Sequence, residues 1–138
     1  MSSPTTGFTP YDHLYVYAGT RGRDPFILQN VVDAQHAQTA TEETKPIAII
    51  MALVGLYLHV ERGFTGLQVQ QVHMRLGRTQ RQWPKIALPV DRGAISAADV
   101  IKAPEGPERD AAIVEWCRSV WQAYSGNRET IITLLREY

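Results

Sequence analysis

The sequence predicts an all-α protein, a compact bundle of about five helices packed around a buried central helix over residues 46–62. Three observations carry this. The longest apolar run, KPIAIIMALVGLYLHVERG from Lys45 to Gly63, has no charged or strongly polar side chain between Ile47 and Leu58. A helix that is apolar all round is a buried helix. The flanking segments repeat their apolar residues at helical spacing. Ser, Thr or Asp stands where those segments would begin, and Gly where several would end.

The 138 residues suit one domain, residues 11–138, behind a flexible N-terminal arm of residues 1–10 that is rich in Ser, Thr and Pro. The formal net charge is zero, which disfavours a nucleic-acid partner held by phosphate neutralisation. The apolar run falls short of the roughly 20 residues a bilayer requires, so no membrane partner is expected. A single cysteine excludes an intrachain disulfide framework and cysteine-rich zinc sites. With no targeting segment in view, the expected compartment is the cytoplasm.

Taken in order, Tyr11 to Ala18 (YDHLYVYA) has no decisive periodicity. No partner strand follows it, so helix or irregular structure is favoured over a strand. After the loop Thr20–Arg23, Asp24-Pro25 offers N-cap and first-turn chemistry for a helix reaching about Thr39. Its apolar face is Ile27, Leu28, Val31, Val32 and Ala34. Gln29, Asp33 and His36 fall on the opposite, solvent side of the wheel, whereas Gln35 and Gln38 fall inside the apolar arc.

Thr44 is the expected cap of the central helix, Pro46 sits in its first turn and Gly63 ends it. Ala48, Ala52, Gly55 and His59 make one stripe of that helix. Small residues there either admit another backbone or leave a pocket closed by His59. Thr65 caps a third helix, Gly66 to Arg78, with Val69, Val72 and Leu76 inward and His73 at the edge. Arg75, Arg78 and Arg81 make its basic end, read as solvated surface.

Residues 79–93 contain Trp83-Pro84 and Leu88-Pro89, which forbid a regular helix. So long a connection often forms a lid or an interface. Trp83, Ile86 and Leu88 are expected to pin it. Ser96 caps a short helix, AADVIKA, before Pro104. A further helix runs from about Glu108 to Tyr124 with Ile113, Trp116, Cys117, Val120 and Tyr124 on one face and Trp121 at its border. Cys117 therefore reads as a buried small hydrophobe. Gly126 closes that helix, and Asn127 is the expected cap of the last one.

The segments ILQNVVDAQHAQ, GLYLHVERG, ISAADV and WCRSVWQAY resemble an uncharacterised bacterial family, domain of unknown function 5946. The resemblance spans about Phe26 to Leu135 and rests on Asp33, Gln38, Gly55, Leu56, Tyr57, Glu61, Arg62, Gly63, Asp99, Val100, Trp116 and Trp121. Some relatives carry an N-terminal cysteine-rich segment that looks zinc-binding. This chain lacks those cysteines, so that property does not carry over. The resemblance implies no activity. It implies that Asp33, Gln38 and Glu61-Arg62 recur as a set, against the surface position the wheel gives Asp33. An ion pair between Asp33 and Arg62, tying two helices, would reconcile the two, with Trp116 a further structural residue.

No phosphate-cradling glycine loop, Gly-x-Ser-x-Gly elbow or HExxH is present. Two functions are expected from this. One is a small-molecule or metal-binding protein with a pocket beside Ala52 and Gly55, lined by Gln35, Gln38, Tyr57 and Tyr15. His59 would be its acid–base residue or ligand. The candidate ligands for a transition metal are His59, His73, His36 and Asp33. The other is a non-catalytic interaction module, a homodimer joined through the Trp83 connection and Trp121.

Overall fold

The structure is a computed structural model that describes residues 8–22, 25–80 and 82–136. Its regular elements among these residues are all helical: α1 (Pro10–Thr20), α2 (Ile27–Thr39), α3 (Pro46–Arg62), α4 (Gly66–Thr79), α5 (Ala97–Val100), α6 (Pro107–Ala123) and α7 (Arg128–Arg136). A single 3₁₀ turn, Ser125–Asn127, leads into α7. The expected all-α bundle is what forms, and α3 is its centre. It packs against α2, α4, α6 and α7, while α2 also reaches α1, α4 and α6. Among the described residues no helix is long and apolar enough to cross a membrane.

The reason is visible along α3. Ile50, Leu53, Val54 and Leu56 are all but fully buried, so the run is covered on several sides at once. Trp116, Tyr124 and Ile113 from the α6 region and Ile131 from α7 cover it, with Leu14 of α1 in the same core. Pro46 takes the first turn and Gly63 ends the helix in the left-handed region, φ 70°. Thr65 caps α4 through a reciprocal box with Gln68, and Ser96 does the same for α5 with Asp99. α1 begins on a similar box: Thr9 N donates to Asp12 Oδ2 at 2.8 Å, and Asp12 N to Thr9 Oγ1 at 3.1 Å.

Several expected ends differ. Thr44 does not cap α3. Lys45 holds the N-cap position without a side-chain bond, because Thr44 Oγ1 instead accepts from Thr41 N within the preceding turn. Of the expected Asp24-Pro25 start, Asp24 lies outside the described residues, and α2 begins only at Ile27. Phe26 precedes it at φ 65°, a left-handed conformation that costs about 1–2 kcal/mol for a residue with a side chain. Tertiary contact holds it there. Leu67 N donates to Pro25 O at 3.2 Å, and Gly66 lies so close to Phe26 O that a Cβ would collide with it. The same contacts put the start of α2 beside the end of α3, so the two helices run antiparallel.

Asn127 is not a free cap. Its amide is turned onto the long connection, accepting from Ala87 N at 2.9 Å and donating to Ala87 O at 2.8 Å.

Candidate functional site

The polar residue most at odds with its surroundings is Asp33. The wheel put it on the solvent face of α2, yet it is only 3% exposed. α2 has no solvent face at that position, because α3, α4 and α6 all pack against it. Oδ1 accepts from Gln29 Nε2 at 3.0 Å, while Oδ2 is buried without a partner. Oδ2 presses on Gly55, where any Cβ would overlap it. Burial pushes the carboxyl well above the usual carboxylate range, against the smaller lowering by Gln29. The expected ion pair with Arg62 does not form. Arg62 is exposed as the last residue of α3, more than a helical turn past Gly55.

The histidines are dispersed. His59 Nδ1 lies 3.2 Å from Phe64 O. A carbonyl can only accept, so Nδ1 carries the proton and Nε2, buried and unpartnered, is a bare lone pair. His73 Nε2 likewise donates to Met51 O at 2.7 Å. Burial lowers both pKa values, outweighing those carbonyls. His36 is exposed on α2, and His13 is exposed against the ring of Phe8. Among the described residues no group of three or more His, Cys, Asp or Glu is placed to hold a metal ion. Cys117 is fully buried, its thiol raised by desolvation and then by nearby Asp33. It is not a poised nucleophile.

Gln38 is wholly engaged by the fold. Its Nε2 donates to Ile95 O at 2.7 Å and Arg92 O at 3.2 Å, and its Oε1 accepts from Trp116 Nε1 at 3.0 Å. Arg92 answers it by donating to Ala40 O at 2.8 Å and Gln38 O at 3.2 Å. Tyr124 OH takes Ala37 O at 2.6 Å. The unsatisfied carbonyls at the end of α2 are thus bonded by side chains from the connection and from Tyr124, just past α6. Arg92 and Asn127 were not foreseen, because an arginine or asparagine in a loop gives no sign of which distant carbonyl it will reach.

The expected pocket beside Ala52 and Gly55 is filled. Ala52 is 1% exposed and Asp33 covers Gly55. Gln35 is half-buried on α2. Tyr15 is exposed on α1, its ring edge-on to Tyr11. Tyr57 packs against Trp121 instead. Trp121 is itself buried, with Nε1 donating to Glu61 Oε2 at 2.7 Å. It therefore offers no surface to a second copy. Glu61 is held in turn by Arg128 at 2.7 Å, and that bond first, then Trp121, keeps its carboxyl below the usual range despite some desolvation.

Open space lies elsewhere: a groove of about 500 Å³ at the C-terminal end of α3 is edged by Tyr57, Leu58 and Arg62, and larger space lies at the other end of the helix. A groove of about 730 Å³ runs between the first turns of α3 and the connection, walled by Ile49, Trp83, Ile86 and Leu88. Thr41, Glu42, Thr44 and Lys85 supply its polar rim. On the other side of Trp83 a further groove of about 520 Å³ faces α7, edged by Gln80, Gln82 and Thr130. The tryptophan that was expected to pin the connection does so while forming a wall of both.

The pairs just described coincide with the residues on which the family resemblance rests: Asp33 on Gly55, Gln38 on Trp116, Glu61 on Trp121 beside Tyr57. No curated protein and no solved structure matches the chain. Residues 18–125 match a family of unknown function, DUF5946, and the chain belongs to that family.

Proposed function

We propose that the protein is a small-molecule-binding module whose ligand lies in the groove between the start of α3 and the Trp83 connection. The observation that carries this reading is the groove itself. Its volume of about 730 Å³ falls within the range of ligand pockets, roughly 300–1,000 Å³, and its walls are apolar with a few polar groups at the rim. Its outer wall is a long connection fastened at Ala87, Arg92 and Ile95. A wall held in place in this way lowers the ordering cost of binding. No acid–base step is assigned to it, since His59 and His73 both spend a ring nitrogen on a backbone carbonyl away from this groove.

The test uses the dye 1-anilinonaphthalene-8-sulfonate with the full chain. Of the three tryptophans, Trp116 and Trp121 are buried and Trp83 alone lines the groove. Dye emission should rise on binding while Trp83 emission is quenched by transfer, and Trp83→Ala should remove most of the binding with the helical circular dichroism unchanged. Equal dye binding by the variant would overturn the proposal.

A further inference from the structure

The groove carries one charge of each sign. Glu42 comes from the α2–α3 connection and Lys85 from the long connection. Neither forms an ion pair with the other or with any described residue. Two hydroxyls, those of Thr41 and Thr44, stand on the same rim. Thr41 Oγ1 accepts from Glu43 N at 3.2 Å and Thr44 Oγ1 accepts from Thr41 N at 2.9 Å. Both oxygens are used as acceptors, so each O–H remains available to donate. From these groups we infer that the ligand is a small zwitterion with an apolar side chain, of the apolar or aromatic α-amino acid class. This rests on the groove being the binding site.

The argument is one of complementarity. A ligand with only a carboxylate would meet Lys85 and the threonine hydroxyls but would also face Glu42. A ligand with only an amine would meet Glu42 and face Lys85. A wholly apolar ligand would use neither charge nor hydroxyl. A zwitterion answers all of them, the ammonium with Glu42 and the carboxylate with Lys85 and a hydroxyl. Its side chain then lies on Ile49 and Trp83. Opposed rim charges also reject the half-ligands by repulsion, which is how electrostatics contributes selectivity more than raw affinity.

Titration calorimetry on the full chain with L-phenylalanine, phenylacetate and phenethylamine tests this. L-phenylalanine should bind about three- to fivefold tighter than either half-molecule, the range that solvent-exposed charge pairs supply. Lys85→Met should abolish its advantage over phenethylamine, and Glu42→Gln its advantage over phenylacetate. Both side chains are exposed, so the variants should keep the wild-type helical signal. Equal binding of all three compounds, or an advantage unmoved by either substitution, overturns the inference. If none of the three binds while the dye still binds in a Trp83-dependent way, the zwitterion falls and the groove stands. If the dye fails as well, both fall.

Discussion

The carboxyl of Asp33 occupies the space that a side chain at Gly55 would need. A Cβ on Gly55 would overlap Asp33 Oδ2 and come within 3.1 Å of a Val69 methyl. Gly55 and Asp33 therefore act as one contact: the glycine lets α2 lie close on α3, and the acid fills the seat that closeness leaves. Glycine inside a helix costs roughly 0.5–1 kcal/mol relative to alanine, a cost that this approach of two helices offsets.

Gly55→Ala should accordingly destabilise the protein by about 3 kcal/mol, the upper range for overpacking, because the nearest atoms belong to a buried side chain with little freedom to move. In an Asp33→Ala background the same substitution should cost at least about 1 kcal/mol less, since the seat is then vacant. Urea unfolding of the four proteins in this cycle measures it. Strictly additive costs would show that the two residues do not share the space.

Asp33 also fixes a pH dependence. Its pKa is raised in the folded protein, so above the unfolded value of about 3.8 the native state holds a proton that the unfolded chain releases. Stability is fully present below that value. It falls as pH rises towards the folded pKa, by at most about 1.4 kcal/mol per pH unit. His59 and His73 act in the opposite sense: their folded pKa values are lowered, so stability is lost as pH falls below about 6.5. Asp33→Asn should flatten the alkaline-going decline and leave the acid limb in place. Unfolding midpoints from pH 4 to 9 would test this, and an unchanged alkaline slope in the variant would contradict a buried neutral Asp33.

At the far end of α3, Glu61 serves two partners at once. Its Oε2 accepts from the buried Trp121 indole and both its oxygens accept from Arg128. Glu61→Ala should cost about 1–2 kcal/mol, mainly because the indole N–H loses its acceptor. Trp121 should shift in near-ultraviolet circular dichroism. Glu61→Gln keeps an oxygen for the indole and should recover most of the loss. If the glutamine variant is as unstable as the alanine one, the Trp121 bond is not the source of the effect.

The helices and most of their ends were legible in the sequence because apolar spacing, Pro46, Gly63 and the Thr65 and Ser96 boxes act locally. Asp33 was misread for a physical reason. A helical wheel assumes one buried face, whereas α2 is covered by α1, α3, α4 and α6. The space expected beside Ala52 and Gly55 is filled by Asp33. Small residues mark either a cavity or a close contact, and only the partner helix decides which. Trp121 looked like an interface residue until its acceptor, Glu61, was seen 60 positions away in the chain. Arg92 and Asn127 act at similar distances along the chain, on carbonyls and amides that carry no sequence signal.

Arg92 gives the last prediction, because it joins the fold to the groove. Its guanidinium bonds Ala40 O and Gln38 O, its Nε donates to Pro89 O at 2.6 Å, and it lies 5.8 Å from the centroid of the Tyr124 ring. Methionine at this position would retain much of the apolar stem but none of the donors, and should cost about 2 kcal/mol as the end of α2 loses charged hydrogen bonds. The effect should be local. Amide exchange in residues 82–93 should accelerate while α3 stays protected, since the bonds lost tie the connection to the end of α2 and not to α3. Dye binding should weaken with it, because the groove loses a fixed wall. If exchange accelerates in the connection and dye binding is unchanged, the groove does not depend on that wall. If α3 loosens to the same extent, Arg92 supports the core as a whole and not the groove.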